Sequence, residues 1–539
     1  MAPEVGLDCA AMAASKGGYE LAVAAGSSSA SGPTQKRSCP ARRPIELQCS
    51  DICAKRQRIS ACPTDCSAQG GNHYAFVQGR GREYNKHFAY RRDNDLIDTQ
   101  GNFVMSTALQ AFELPHMSAR MHDLLHIAWL ILEQLGTNPE EVNQVWLLDQ
   151  TLWRGPGKHS FPLGFFRDRM PGMPGFHKLG KHGKHGSAAC VPCLTPASRA
   201  WVNRERRFLL GEECLQFQGV HASVLHVPDV LARRIAGEMY TIPVVGWYVC
   251  LAITAVVGRH CMPAPPSMAA AAVGNRKTHG SHTLLPERSA ELWLDMLLQA
   301  WPTAFDNCRS PAYVHVGSIC SGADVAKVYA SAIGVQICRR LGMNKVSLID
   351  AFDCEIDKQV MEARRQAMPA SHRHYSDIHK LPLGDMQDVD ICLISTSCKS
   401  LSFQNYDRRS LLDVNVHDSK CQSGAHMQSA LQYVKTKLPK VVIFENVLGM
   451  LCKPMGSKLR NVDIVLEKLR EWGYTCDYDR QDARHWWTPQ SRGRIYIWGY
   501  RLQVGYGHCS EAFDNPQLRC LQPGFRLHIS DCLLSGESK

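Results

Sequence analysis

Three apolar runs of this 539-residue chain end in side chains able to do chemistry. Val389 to Ile394 breaks abruptly into Ser395-Thr396-Ser397-Cys398-Lys399 and so carries a thiol at its end. Val441-Val442-Ile443-Phe444 runs into Glu445-Asn446-Val447 and carries a carboxyl. Thr488-Pro489-Gln490-Ser491-Arg492-Gly493-Arg494 leads into Ile495-Tyr496-Ile497-Trp498 and carries two guanidiniums. A thiolate is a nucleophile suited to covalent catalysis. A buried carboxyl can serve in acid–base work, and guanidinium forks grip carbonyl or phosphate oxygens. What must position these groups is a set of short buried strands, because β-branched runs of this kind fit a pleated, covered surface. In open α/β sheets, ligands bind just beyond strand ends.

A fourth stretch completes the pattern. The strand-like run Tyr313 to Ile319 turns through Cys320-Ser321-Gly322-Ala323-Asp324 into a helical stretch from Val325 to Leu341. Glycine lets backbone N–H groups approach a ligand, and a helix N-terminus favours anionic groups. The next strand, Val346 to Phe352, ends near Glu355, where a carboxylate can hold ribose hydroxyls. Taken in order, this loop, Cys398, Glu445-Asn446-Val447 and Gln490-x-Arg492-x-Arg494 resemble the cytosine-5 DNA methyltransferase family. The resemblance covers residues 313–500 well and 115–260 weakly. It implies an α/β, Rossmann-like S-adenosylmethionine-dependent methyltransferase fold with a mixed sheet. It implies that Cys398 adds to carbon 6 of cytosine, that Glu445 meets N3, and that Arg492 and Arg494 bind the base carbonyl and a backbone phosphate or order the Cys398 loop. Asn446 and Gln490 are structural members of the same motifs. Ser321, Gly322 and Ala323 form the cofactor loop, Glu355 and Ile356 contact ribose and adenine, and Asp377 and Ile378 lie at the adenine edge. For Asp377 a helix cap or turn is an equal reading. The target base is expected to leave the duplex for the pocket.

The order of the motifs is unusual. Arg207 to Val220 reads as a short helix with a Gln-Gly stop, and Ile235-Ala236-Gly237-Glu238-Met239 leads into the apolar helix Ile242 to Val257. These resemble the family's ninth and tenth motifs, which normally close the chain and here come first. Gly237 joins the cofactor set by that resemblance. The chain therefore reads as circularly permuted, or as the tail of one copy fused to the head of the next; close termini make permutation easy. Several positions depart from the family pattern: Ser395, Ser397 and Lys399 around the nucleophile, Asp324 and Val325 in place of glycines, and Glu238-Met239 in the tenth motif. Glu238 would set a negative charge near the cofactor's carboxylate. These departures keep two alternatives open, a degenerate fold that binds nucleic acid and an RNA cytosine-5 methyltransferase.

A net charge of +11 suits a polyanionic partner, DNA or alternatively RNA. The 23 cysteines follow no basic-then-apolar leader, so reduced intracellular thiols and a nuclear location are expected. Ile242 to Val257 falls short of the roughly 20 residues of a spanning helix, so it reads as buried and no membrane partner is expected. Residues 1–75 lack periodicity and read as a Cys-rich disordered region. Within them Cys49, Cys53, Cys62 and Cys66 form two Cys-x-x-x-Cys pairs, spaced more loosely than a zinc knuckle, and no metal is assigned. Residues 76–195 are where target recognition is expected; they hold a helical period from Ser118 to Leu135, a strand at Val145 to Leu148 and a basic loop at 155–186. Cys190-Val-Pro-Cys193 has redox-motif spacing without a strand–helix frame, which argues against that use. Residues 196–257 carry the rear motifs, 258–310 a Pro/Ala/Gly-rich linker and an amphipathic helix near Glu287 to Trp301, 311–500 the catalytic domain, and 501–539 a tail with no readable feature.

Overall fold

The structure, a computed structural model, describes residues 205–257, 284–305, 312–342, 346–367, 373–402, 421–454, 456–501 and 511–523, with shorter pieces that include 193–196, 199–202 and 531–534. The two Cys-x-x-x-Cys pairs, the basic loop and the linker lie outside the described residues. Of the helical period near Ser118, the described residues Leu125, His126, Trp129 and Leu130 are helical and buried. Val145–Leu147 (β1), Ala200–Val202 (β2) and Arg207–Phe208 (β3) form a small antiparallel sheet.

The main sheet has seven strands: β4 (Ala312–Ile319), β5 (Val346–Cys354), β6 (Arg373–Tyr375), β7 (Ile391–Ile394), β8 (Val441–Val447), β9 (Tyr474–Asp482) and β10 (Gly493–Arg501). Their order is β6-β5-β4-β7-β8-β10-β9, parallel as far as β8, with β10 antiparallel to both neighbours. β7 and β8 are buried at every residue, as continuous apolar runs in a doubly covered sheet must be. From β4 the chain steps outward to β5 and β6, then returns to the other side of β4 to lay down β7 and β8. This reversal splits the loops after β4 and β7 apart and opens a crevice at their shared edge. Ile319 lies beside Ile394, which in turn lies beside Phe444. β10 runs the other way, so its beginning, Arg494, stands opposite Val447 at the same edge. Topology alone thus gathers the cofactor-type loop, Cys398, Glu445 and Arg494 at one end of the sheet.

The segment preceding the linker is part of this body. Helices α1 (Gly211–Gln216), α2 (Asp229–Glu238) and α3 (Ile242–Val257) precede α4 (Pro286–Ala300) and α5 (Val325–Leu341). α3 is apolar around its circumference, and all its residues but Val256 are buried, which makes it a core helix. Among the described residues no single helix is long and apolar enough to cross a membrane. Tyr248 stacks on Tyr496 of β10 with ring centroids 5.0 Å apart, and Trp293 of α4 packs 5.4 Å from Trp487. Gly246 admits that indole, since a Cβ there would lie 2.1 Å from a Trp293 ring carbon. Each such buried aromatic contributes on the order of 2–3 kcal/mol of apolar burial. Tyr329 of α5 donates its hydroxyl to Gly219 O at 3.0 Å, tying the two sequence halves together.

Two expectations need correction. Arg207 to Val220 is not one helix: Arg207–Phe208 pairs with β2, and only Gly211–Gln216 is α-helical, because Arg207 is drawn off to the buried Glu213 carboxylate at 2.6 and 2.7 Å. The tail also has structure. Two single-turn helices, Glu511–Asp514 and Pro516–Arg519, seat Phe513 against Trp498 and bring Arg519 Nε to Asp479 at 3.0 Å.

Candidate active site

The nucleophile loop leaves β7 through Ser395, whose N–H donates to Ile319 O at 3.0 Å. It then closes a tight turn, Leu401 N to Cys398 O at 3.0 Å, and Ser400 N donates to Ser423 Oγ at 3.0 Å. Gly449 follows β8 and supports this turn; a Cβ there would sit 1.8 Å from Leu401 O. Burial pushes the Cys398 thiol up, with Glu445 and Cys193 adding to the rise and Arg494 and Arg492 opposing it. Asn446 locks the neighbouring strand end. Its amide donates to Thr396 O at 3.3 Å and to Thr396 Oγ1 at 3.2 Å, while its own carbonyl takes Val447 N at 2.9 Å.

Glu445 is 6% exposed. Ser395, which departs from the family pattern, donates its hydroxyl to Glu445 Oε2 at 3.2 Å. Arg494 Nε lies 2.9 Å from Oε1, an ion-pair distance at which its N–H does not point at the oxygen, so Oε1 retains a free hydrogen-bonding direction. Arg494 also donates to Gly493 O at 2.8 Å and lies 3.7 Å from Cys193 Sγ. Its guanidinium is held strongly charged by Cys193 and Glu445 against the cost of burial.

Arg492 is bound to backbone carbonyls of an earlier segment. It is 3% exposed and donates to Met239 O at 2.8 Å, Leu194 O at 3.1 Å and Gly237 O at 3.4 Å. All of these carbonyls belong to the segment that precedes the linker. Arg492 therefore stitches the two sequence halves together. Gly237 packs closely beside it. A Cβ there would lie 2.2 Å from Pro196 N, so the position serves close packing and presents its carbonyl to Arg492. Gln490 is fully buried; its main chain forms a parallel bridge to Val191, and its amide atoms have no partner among the described residues.

The loop after β4 is strained in a specific way. Cys320, Gly322 and Asp324 all take left-handed backbone angles, with φ of 54°, 59° and 53°. For a non-glycine residue this costs about 1–2 kcal/mol. Asp324, standing where a glycine is usual, is anchored instead by its side chain: Ser318 Oγ donates to it at 2.7 Å and Lys327 Nζ at 2.8 Å. Lys327 also reaches Asp350 at 2.6 Å, and Arg364 bonds Asp350 and Asp353 at 2.5 Å each. His374 closes the chain on Asp353. The departure at Asp324 is thus compensated inside the protein, although burial still raises that carboxyl in spite of Lys327.

The loop's outer face suits a nucleoside-type cofactor. A Cβ at Gly322 would meet nothing within 4 Å, and the buried Ser321 Oγ has no partner among the described residues. Ala323 is buried beneath them at 1% exposure. Glu355 accepts from Gly322 N at 3.0 Å and Asp357 N at 2.9 Å, which leaves further lone pairs for hydroxyls. Ile356 is 73% exposed, an apolar face beside the loop. Asp377 takes the capping role: it accepts from His379 N at 2.9 Å, a bond that lowers its carboxyl. Ile378 is 7% exposed and packs into the core. Glu238 reaches solvent at the cleft, yet burial there raises its carboxyl, opposed by Lys399 and Arg234 and reinforced by Glu355. Two departures from the family pattern, Glu238 and Lys399, are therefore electrostatic neighbours of opposite sign.

Cys193 and Lys327 were assigned no role from sequence, and Ser395 and Asp324 were read only as departures from the family pattern. The Cys-x-x-Cys spacing was the one signal for Cys193, and without a strand–helix frame it gave no role.

This sheet order, with its antiparallel β10, a cofactor-type loop after the central strand and a thiol over the same edge, is the Rossmann-like α/β fold of S-adenosylmethionine-dependent methyltransferases. Residues 334–521 match the family of C-5 cytosine-specific DNA methylases. The match begins within α5, after the cofactor-type loop. The chain is similar to the type II methyltransferase M.BsuFI of Bacillus subtilis, at 29% identity over 33% of this chain and 40% of the relative. It is similar to the type II methyltransferase M.NgoBI of Neisseria gonorrhoeae, at 32% over 31% and 48%. It also resembles the DNA (cytosine-5-)-methyltransferase DMT5 of Cryptococcus neoformans, at 27% over 40% of this chain and 9% of the relative. The chain spans less than half the length of each of these relatives.

Proposed function

We propose that the protein transfers a methyl group from S-adenosylmethionine to carbon 5 of cytosine in DNA, through a covalent adduct at Cys398. The observation that carries this reading is the meeting of Cys398, Glu445 and Arg494 at one sheet edge, beside the loop of Ser321, Gly322 and Ala323. The cofactor would lie over that loop, held by Glu355 and Ile356, and when bound supplies an electrophilic methyl group. Cys398, as thiolate, adds to carbon 6 of the ring, forming a carbon–sulfur bond as the 5,6 double bond opens. Glu445, with Oε1 free, faces N3, and Arg494 turns its fork toward the base carbonyl. Carbon 5, now electron-rich, takes the methyl group; loss of its proton and departure of the Cys398 thiolate restore the ring. Arg492 acts through position alone, holding the segment 193–196 and 237–239 against β10.

The net charge of +11 supports a nucleic-acid substrate, and a DNA substrate places the protein with the genome, which in a nucleated cell is the nucleus. The packing of α1 to α3 on the catalytic sheet supports one site built from both sequence halves, as a permuted chain needs. The test is transfer of labelled methyl groups from S-adenosylmethionine to DNA by the full chain, with Cys398→Ser and Glu445→Gln as controls. Label in DNA that both variants abolish supports the reading. Label in RNA alone moves the substrate to RNA. Cofactor binding without transfer to either leaves a binding module.

A further inference from the structure

We propose that Cys193 is a positioning residue of this pocket: its sulfur sits between Arg492 and Arg494 as their shared counter-anion and tempers the positive field that acts on Cys398. The inference rests on the pocket assigned above, and adds to it a thiol from the other end of the chain.

The geometry is specific. Cys193 Sγ lies 3.6 Å from Arg492 Nη1 and 3.7 Å from Arg494 Nη2. Arg492 immediately precedes β10 and Arg494 is its second residue, and both guanidiniums reach the same sulfur. Two buried guanidiniums so placed repel each other: burial first and Arg494 second draw the Arg492 pKa down. Glu445 contacts Arg494 through Nε and acts on Arg492 only at longer range. Among the described residues Cys193 is the one thiol in contact with both. The charged or titratable groups that face it are these two arginines from β10, Glu445 of β8 through Arg494, and Cys398 from the loop after β7. As a thiol it donates to Leu194 O at 3.6 Å, the same carbonyl that Arg492 grips, so the sulfur and the stitch share one anchor.

The two thiols respond in opposite directions. Burial pushes both upward, but at Cys193 the two guanidiniums outweigh it and the thiol is lowered, whereas Cys398 is raised and Cys193 contributes to that rise. Other buried cysteines, Cys214, Cys250 and Cys392 among them, are raised as isolated thiols are. The thiol in direct contact with both guanidiniums is thus the one drawn down, and the thiol beyond them the one pushed up.

The experiment is iodoacetamide labelling of the folded full-length protein over a pH series from mildly acid to mildly alkaline, read peptide by peptide by mass spectrometry. It needs neither DNA nor cofactor, so its failure is distinct from failure of methyl transfer. Cys193 is expected to label at lower pH than Cys398. In Cys193→Ser the Cys398 profile is expected to move to lower pH; a profile displaced by one pH step of tenfold proton activity labels about tenfold faster near neutrality. Cys193→Asp, which restores an anion, is expected to return it toward the parent profile; a purely structural role would not give that rescue. Labelling of Cys398 before Cys193 in the parent protein, or an unmoved Cys398 profile in Cys193→Ser, overturns the proposal.

Discussion

Replacing Arg492 by methionine distinguishes a stitch from a substrate ligand. In the structure its guanidinium satisfies Met239 O at 2.8 Å, Leu194 O at 3.1 Å and Gly237 O at 3.4 Å, all buried. Hydrogen bonds to a charged group contribute about 1.5–3 kcal/mol each, and orphaning a buried carbonyl costs about 1–3 kcal/mol. Relief of burying the guanidinium and of its repulsion with Arg494 offsets part of this. The expected net loss is about 3 kcal/mol, comparable to the lower end measured when buried charged networks are broken. For a body of this size that is roughly 6–12 °C in melting temperature. The assay is thermal melting followed by tryptophan fluorescence, since Trp486 and Trp487 lie in the core that the stitch adjoins. A phosphate-binding Arg492 would behave oppositely, leaving the melt unchanged while DNA affinity and its salt slope fell by about one contact. An unchanged melt with weakened DNA binding would refute the reading.

Gly449→Ala would set a Cβ 1.8 Å from Leu401 O and push the nucleophile turn aside; methyl transfer should fall on the order of a hundredfold, with a stability loss of about 1–3 kcal/mol seen in denaturant melts. Lys327→Met removes one of the two cations that Asp324 and Asp350 share, leaving Arg364, and should destabilise by about 3 kcal/mol and weaken cofactor affinity measured by calorimetry. Burial holds the Cys398 thiol above its ordinary value, so thiolate becomes available as pH rises; single-turnover rates should therefore increase with pH through and beyond about 8.5, the usual thiol value, and a flat profile would contradict this.

Much of the catalytic half was legible because its strands are buried on both faces. The runs Ile391–Ile394 and Val441–Val447 have no polar alternation to confuse them, and each ends in one chemically distinct residue. Asn446, Glu445 and Arg494 lie together at the sheet edge where those strand ends meet. The carbonyl partners of Arg492 lie 253 to 298 residues away, which no local pattern encodes. Gly237 has no side chain in the way of Pro196, an approach that no local pattern announces. Asp324 looked like a lost glycine; its left-handed turn is held by Ser318 and Lys327, a compensation visible only once β4 and α5 are placed. The tail beyond Arg501 gave no period because its helices are single turns, docked through Phe513 and Arg519.

Covalent chemistry at Cys398, by a site assembled from both sequence halves, is what the proposed function stands on. The most direct measurement is incubation of the protein with S-adenosylmethionine and a DNA duplex carrying 5-fluorocytosine, whose fluorine blocks the final elimination, followed by denaturing electrophoresis. A protein–DNA adduct that requires the cofactor and disappears in Cys398→Ser is the expected result. An adduct that survives Cys398→Ser, or none across varied duplex sequences from a protein that binds the cofactor, would contradict it.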